Sequence, residues 1–145
     1  MSDKYFLDTN VFVYSFDPDA PQKQIIAKRL IQSALADGNG LISYQVVQEF
    51  LNVATRKFVK PLSLTDCQEY LQTVLNPLCS VFVTIELYQM ALKMRDRYNY
   101  SFYDSLIIAA AIDAGCSRLY SEDLQHNQRI SGLIILNPFL PNENL

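Results

Sequence analysis

The sequence predicts an α/β fold built on a mainly parallel sheet of five strands, because short apolar runs alternate with helical periodicity along the whole chain. Its 145 residues match the size of one domain, and half of them are hydrophobic, which suffices for a substantial core. Strands that are joined through helices run parallel, and the helices then cover both faces of the sheet.

Five short apolar runs have the length and composition of strands. They cover residues 5–7, 40–43, 80–83, 117–120 and 133–136. Helical periodicity predicts five helices between these runs. They cover residues 21–36, 44–58, 64–75, 85–97 and 102–114.

Turn and capping residues agree with these boundaries. The stretch Asp-Gly-Asn-Gly at 37–40 ends the first helix, and Gly115 follows the last helix. Ser63 or Thr65 can cap the helix that follows Pro61. The pair Asn-Pro at 137–138 closes the last strand, so we expect one domain over residues 1–140 and a polar tail over 141–145.

Composition excludes several classes of protein. No run of about 18 apolar residues is present, so no transmembrane span is expected. The first ten residues lack the unbroken apolar stretch of a secretory signal, and the three cysteines lack a CxxC spacing. We therefore expect a cytoplasmic protein with reduced, buried Cys67, Cys79 and Cys116 rather than a zinc site.

Four acidic residues stand where a predicted strand ends or a predicted helix begins. They are Asp8, Glu49, Asp104 and Asp123. The carboxyl ends of parallel strands meet at one edge of a sheet, so these side chains are expected to converge there. Clustered carboxylates repel each other, and a divalent cation makes such a cluster tolerable. The pattern predicts metal-dependent chemistry on phosphate.

Each acid also has a plain structural interpretation. Asp8 can simply cap a helical turn, and Asp104 completes a capping box with Ser101. Asp104 nevertheless opens a helix that is apolar nearly all round, and its carboxylate faces the positive end of the helix dipole. Glu49 lies at the edge of an apolar helix face, where a solvated flank is the simpler interpretation, and Asp123 can simply form a turn or a cap after the fourth strand.

Composition alone leaves other acids open as ligands. Glu69 and Glu86 compete with Glu49 on equal terms, and Glu122 competes with its neighbour Asp123. The net charge of −3 and the pI of about 5.0 mean that a polyanionic substrate needs local basic patches and bound metal. Two basic groups are solvated faces or contacts for a phosphate backbone. They comprise Arg56, Lys57 and Lys60, and Lys93, Arg95 and Arg97.

No covalent nucleophile is evident in the sequence. The lone His126 lies among polar residues and has no evident partner, and no GxSxG, P-loop, GxGxxG or HExxH motif appears. These observations favour a metal-bound hydroxide as the nucleophile over covalent catalysis.

With these residues in place, the chain resembles the PIN-domain ribonucleases, and especially the bacterial VapC-type toxins of toxin–antitoxin pairs. The similarity extends from Tyr5 to about Leu140. Its anchors are LDTN at 7–10, QEF at 48–50, YDS at 103–105, YSEDL at 120–124 and GLIILNPF at 132–139.

The resemblance implies roles for particular residues. Asp8, Glu49, Asp104 and Asp123 would form an acidic quartet that holds Mg²⁺ or Mn²⁺ and carries catalysis. Asn10 and Ser121 would be polar supports for the carboxylates or for water. Asp123 rather than Glu122 matches the Ser/Thr-x-Asp pattern of the family. The resemblance further implies a three-layer α/β/α sandwich, a homodimer and an antitoxin protein as partner.

The sequence thus predicts a cytoplasmic, Mg²⁺- or Mn²⁺-dependent endoribonuclease, the toxin of a toxin–antitoxin pair. Because the family includes non-catalytic members, a PIN-like module that binds RNA or protein without cleavage is the alternative. A third class is phosphate chemistry on small molecules or proteins. Haloacid-dehalogenase-type phosphatases need Asp-x-Asp after the first strand, and Asn10 occupies the second position here.

Overall fold

The computed structural model describes residues 2–141, and the predicted tail at 141–145 lies outside this range apart from Pro141. A six-stranded sheet forms the centre, with the strand order β3-β2-β1-β4-β6-β5. The strands are β1 (Tyr5–Leu7), β2 (Gly40–Ser43), β3 (Cys79–Val81), β4 (Arg118–Tyr120), β5 (Arg129–Ile130) and β6 (Leu133–Leu136).

Helices connect the strands in the order expected of a parallel sheet. They are α1 (Thr9–Tyr14), α2 (Pro21–Asp37), α3 (Tyr44–Arg56), α4 (Leu64–Tyr70), α5 (Asn76–Leu78), α6 (Ile85–Tyr98) and α7 (Phe102–Asp113). A π-helical turn over Leu71–Leu75 joins α4 to α5. The predicted α/β class and the three-layer sandwich are confirmed. None of the helices in residues 2–141 is long and apolar enough to span a membrane.

The sequence predicted five strands, and the sheet has six. β1, β2, β3, β4 and β6 pair in parallel, as expected, but β5 adds an antiparallel sixth strand beside β6. A turn of two residues, Ser131 and Gly132, joins this pair, and both have positive φ, at 49° and 83°. A strand of two residues is too short to show an alternating pattern, which is why the expected count was five.

Two further boundaries differ from the prediction. The short helix α1 was not predicted as a helix, because six residues give no usable period. The third strand ends at Val81 rather than at residue 83, and Phe82 and Val83 continue as exposed chain. Pairing with β2 shifts register at the end of this strand, between Ile42 and Ser43, which ends the ladder early.

The core lies between the sheet and the helices and is densest around α7. All residues from Ser105 to Ala111 are buried, which agrees with the nearly uniform apolar surface expected of this helix. A second cluster of aromatic rings packs beneath α1 and α3. It comprises Phe12, Phe16, Phe50, Phe58 and Tyr70. Both clusters anchor helices whose first turns face the carboxyl edge of the sheet.

The central strands β1 and β4 end side by side at this edge. The Asp8 amide donates to the Tyr120 carbonyl at 3.0 Å, and the Ser121 amide donates to the Leu136 carbonyl at 3.0 Å. The residues that directly follow β1 and β4 are therefore neighbours in space, although they are far apart in the sequence.

Candidate active site

Asp8 occupies the centre of this edge. It is the N-cap of α1, and Oδ1 accepts a hydrogen bond from the Thr9 amide at 2.7 Å. Oδ2 accepts from the Ser121 hydroxyl at 2.6 Å, and the side chain is only 6% exposed. Asp8 therefore caps α1 and also lies at the strand end where the sequence predicted it.

The pKa of Asp8 is raised to about 6. Burial is the largest cause, because a carboxylate loses its hydration. The hydrogen bonds from Ser121 and Thr9 lower the pKa, and the nearby charges of Glu49 and Asp123 raise it again. Asp8 is therefore ionised above pH 6, but its charged form is costly in the folded protein.

Asp123 lies in the loop after β4, two residues beyond the Ser121 that contacts Asp8, and is exposed. Its Oδ2 accepts from Asn10 Nδ2 at 3.3 Å, and its amide donates to the buried Ser121 hydroxyl at 3.3 Å. Asn10 and Ser121, the two expected supports, thus contact an acid that was predicted as a ligand. The Oδ1 atom of Asn10 is buried and has no hydrogen-bond partner in the described part of the chain.

Glu49 reaches the same edge from α3 and is half-buried. Oε1 accepts from the Thr9 hydroxyl at 2.6 Å, and Oε2 faces Gln45 Nε2 at 3.4 Å. The same Gln45 nitrogen donates to the Tyr103 carbonyl at 3.0 Å, beside Asp104. Gln45 therefore links α3 to the first turn of α7.

Thr9 and Gln45 were not singled out from the sequence. Gln45 precedes Glu49 by four residues, so one face of α3 carries both, which is the one signal that could have found it. Gln45 is 8% exposed, and its Oε1 atom has no hydrogen-bond partner within residues 2–141. Thr9 carries no signal beyond its place after Asp8.

Asp104 belongs to the first turn of α7 and is half-buried. Its amide donates to the Ser101 hydroxyl at 3.1 Å, as the capping pattern predicts. Burial raises the pKa of Asp104, a hydrogen bond with Ser101 lowers it, and the charge of Asp123 raises it. Asp123 thus lies near enough to influence the pKa of both Asp8 and Asp104.

Glu122 points to a different set of residues. Its two oxygens accept from the Tyr14 hydroxyl and from Lys23 Nζ, each at 2.6 Å. The two competing acids of the loop after β4 are therefore held apart, with Asp123 on Asn10 and Glu122 on Lys23.

The donor set fits a hard divalent cation in its chemistry, since it offers carboxylates and the unpartnered Asn10 Oδ1. Within residues 2–141, however, no three His, Cys, Asp or Glu side chains stand close enough together to hold a metal ion. Binding of an ion would require the carboxylates to move closer. Asp123 is exposed, so it has the most freedom to do so.

The remaining candidates lie elsewhere. His126 is exposed, and its Nδ1 accepts from the Asn137 amide. The three cysteines are free thiols, of which Cys116 is buried and the other two are half-buried. All six members of the two basic groups are exposed. Glu69 and Glu86, which competed with Glu49 on composition, are also exposed, and Glu69 lines an open depression of about 280 Å³ with Tyr70 and Phe16.

Comparison with solved structures supports the architecture. The chain is similar to a toxin–antitoxin complex from Klebsiella pneumoniae, with 15% identity and a TM-score of 0.67 over 93% of this chain and 98% of that chain. It is also similar to VapC20 from Mycobacterium tuberculosis, described as a Sarcin-Ricin loop cleaving toxin. The identity is 21% and the TM-score 0.59, over 81% of this chain and 88% of that chain.

A third similar structure is VapBC2 from Rickettsia felis, described as bound to a DNA fragment from its promoter. The identity is 22% and the TM-score 0.61, over 90% of this chain and 96% of that chain. A search of curated proteins finds no significant match. The family model described as PIN domain matches residues 5–129. That span includes β1, the four candidate acids and both polar supports, so the chain belongs to the PIN domain family.

Proposed function

We propose that this protein is a Mg²⁺- or Mn²⁺-dependent endoribonuclease and the toxin of a toxin–antitoxin pair. The observation that carries the proposal is the buried Asp8 at the carboxyl edge of the sheet. Its pKa responds to the charges of Glu49 and Asp123, and Asp123 in turn affects Asp104. A polar cleft of mutually repelling carboxylates is costly for stability, and a metal-binding role accounts for that cost.

Asp8, Glu49, Asp104 and Asp123 are the residues proposed to hold the metal. When bound, the ion would lower the pKa of a water molecule and neutralise charge that develops on the scissile phosphate. The side chains around the quartet orient it. Asp8 is fixed by Ser121 and Thr9, and Glu49 by Thr9 and Gln45.

The protonation state of Asp8 at neutral pH also suits metal binding. With a pKa of about 6, Asp8 is mostly ionised at neutral pH, and its position against Ser121 is fixed before any substrate arrives. Rigid carboxylates of this kind would hold a cation in a fixed place, and the cation would offset the charge that a phosphodiester gains in the transition state. Attack on phosphorus would proceed in line and without a covalent enzyme intermediate.

The toxin assignment is supported by the similar structures, two of which are described as toxin–antitoxin or VapBC assemblies. We therefore propose an antitoxin protein as partner, RNA as substrate, a homodimer as the assembly and the cytoplasm as the place of action. A doubled mass in solution would support the homodimer.

A second candidate is a module that binds RNA or protein without cleaving RNA. The observation in its favour is that no three candidate ligands in residues 2–141 are arranged to hold an ion. RNA affinity that persists in EDTA, with no cleavage in Mg²⁺ or Mn²⁺, would support this alternative.

The test is cleavage of total RNA by purified protein in Mn²⁺ or Mg²⁺, with EDTA as one control. We expect discrete fragments, and a loss of rate of about 100-fold or more in Asp8→Asn and in Asp104→Asn. Asp96→Asn is the matched control, because Asp96 is an exposed acid on α6 outside the cleft. Cleavage that survives both cleft substitutions would overturn the mechanism.

A further inference from the structure

A cluster of three side chains borders the candidate active site without belonging to the acidic quartet. It consists of Tyr14 at the end of α1, Lys23 in the first turn of α2 and Glu122 in the loop after β4. Lys23 Nζ lies 2.6 Å from Glu122 Oε2 and 3.2 Å from the Tyr14 hydroxyl. The Tyr14 hydroxyl donates to Glu122 Oε1 at 2.6 Å. Each member thus contacts the other two.

Aromatic packing fixes the cluster further. The Lys23 ammonium lies 4.6 Å from the centroid of the Tyr14 ring and 5.9 Å from that of Phe139. The two rings meet edge to face, with centroids 4.9 Å apart. The cluster therefore ties the loop after β4 to two helices and to the segment that follows β6.

This arrangement is unusual for an ordinary surface ion pair. Among the residues that the structure describes, Lys23 and Glu122 are the one oppositely charged pair within 4.0 Å. Their side chains are only 38% and 24% exposed. Burial raises the pKa of Glu122, but hydrogen bonds from Lys23 and Tyr14 outweigh this and leave the pKa lowered. Glu122 is thus held as a carboxylate by these two partners.

The position of Asp123 depends on the loop that follows β4. Asp123 directly follows Glu122, its amide donates to Ser121, and its carboxylate accepts from Asn10. Both of those contacts are long, at 3.3 Å, so they position Asp123 only weakly. The short contacts of the loop, all at 2.6 Å, are the one from the Ser121 hydroxyl to Asp8 and the two made by Glu122.

We propose that Lys23 and Tyr14 are positioning residues that hold Glu122 away from the cleft, so that Asp123 is the acid presented to a metal ion. The role rests on the proposed nuclease function. Neither residue need contact metal or RNA. Without them, the longer Glu122 side chain would be released beside Asp123, and the loop would lose two of its short contacts.

The test is Mn²⁺ binding to the full chain, measured by titration calorimetry, together with thermal unfolding in EDTA. We expect Lys23→Met and Tyr14→Phe to weaken Mn²⁺ affinity about tenfold, as is typical when the support of a metal ligand is removed. Lys23→Arg should restore most of the affinity, because it keeps the charge. Lys28→Met is the matched control, since Lys28 is exposed on the same helix and should bind Mn²⁺ like wild type.

Two further variants identify the acid that binds the ion. Asp123→Asn should weaken Mn²⁺ affinity more than Glu122→Gln, and the reverse order would overturn the proposal. Wild-type affinity in Lys23→Met would overturn it as well. Unfolding in EDTA reveals a variant that fails to fold, in which case Tyr14→Phe and Glu122→Gln decide the question.

Failure of this role is distinguishable from failure of the proposed function. If wild-type protein neither binds Mn²⁺ nor cleaves RNA, the nuclease proposal falls and the positioning role falls with it. If wild type binds Mn²⁺ and all cluster variants bind equally well, the positioning role alone is wrong.

Discussion

The two sides of the cleft are built differently. On the buried side, directly after β1, Asp8 is 6% exposed and accepts two hydrogen bonds shorter than 2.8 Å. On the other side, Asp104 is half-buried and Asp123 exposed. Both sides carry carboxylates, but the first side is fixed by packing and the second is open to solvent.

The difference teaches how one cleft can combine rigidity with adjustment. A buried carboxylate with two donors keeps one orientation, at the expense of a raised pKa. An exposed carboxylate loses little hydration and can turn toward an arriving ion. The buried side therefore sets the frame of the proposed site, and the exposed side completes it on binding.

The strongest test of this contrast is the pH dependence of stability. The pKa of Asp8 rises from 3.8 in a model carboxyl to about 6 in the folded protein, so between these values the folded state binds more protons than the unfolded state. The free energy of unfolding should fall as pH increases from 4 to 6 and then level off. The predicted loss is about 3 kcal/mol, because a tenfold change in proton affinity is equivalent to about 1.4 kcal/mol and the two states differ by roughly a hundredfold.

Denaturant unfolding in EDTA at pH 4 to 8 measures this dependence. Asp8→Asn removes the titrating group, so the variant should lack most of the decline and exceed wild-type stability at pH 8. Asp104→Asn is the comparison from the open side and should change the profile less. Equal effects of the two substitutions would show that the two sides do not differ as described.

A smaller effect is expected from Ser121→Ala. The hydroxyl donates to the buried Asp8 carboxylate at 2.6 Å, and a hydrogen bond to a charged group contributes about 1.5–3 kcal/mol. We expect a loss of stability of about 2 kcal/mol at pH 8, and a smaller loss at pH 4.5, where Asp8 is protonated.

Ser105→Ala is the matched control for Ser121→Ala. Ser105 is fully buried near Asp104, but its hydroxyl has no hydrogen-bond partner in the described part of the chain. Its replacement should be neutral or slightly stabilising at both pH values. A large loss in Ser105→Ala would mean that the hydroxyl has a partner, such as an ordered water.

The smallest effect concerns the cap of α7 on the open side. Ser101→Ala removes the acceptor for the Asp104 amide and should lower the free energy of unfolding by about 1 kcal/mol at any pH. Ser63→Ala is its counterpart, because Ser63 caps α4 by the same contact, to the Asp66 amide. RNA cleavage should decrease in Ser101→Ala only. Equal RNA cleavage by the two variants would show that the Ser101 cap does not contribute to cleavage.

The fold was predictable where apolar patterns are long. The helix α7 is apolar on nearly every face, and the sequence predicted both its bounds and its burial to within one residue. The strand β5 and the helix α1 were missed, because two and six residues show no period. The local sequence pattern also could not reveal that the pairing of β3 with β2 shifts register between Ile42 and Ser43.

The residues of the candidate site were likewise predictable only in part. Asp8 and Asp104 stood out because each follows or opens a strongly apolar element, whereas periodicity did not single out Glu49 and the resemblance was needed to assign it a role. Thr9, Gln45 and Lys23 could not be ranked, because their partners lie 40, 58 and 99 residues away in sequence. Polar contacts of that separation depend on the tertiary fold, and single-sequence patterns do not carry them.

The ends of the sheet have a consequence for self-association of the chain. The outermost strands, β3 and β5, offer only three and two residues for pairing. Long, flat edges act as templates for fibril growth, and short edges do not. The chain should thus resist strand-by-strand aggregation at both margins of the sheet.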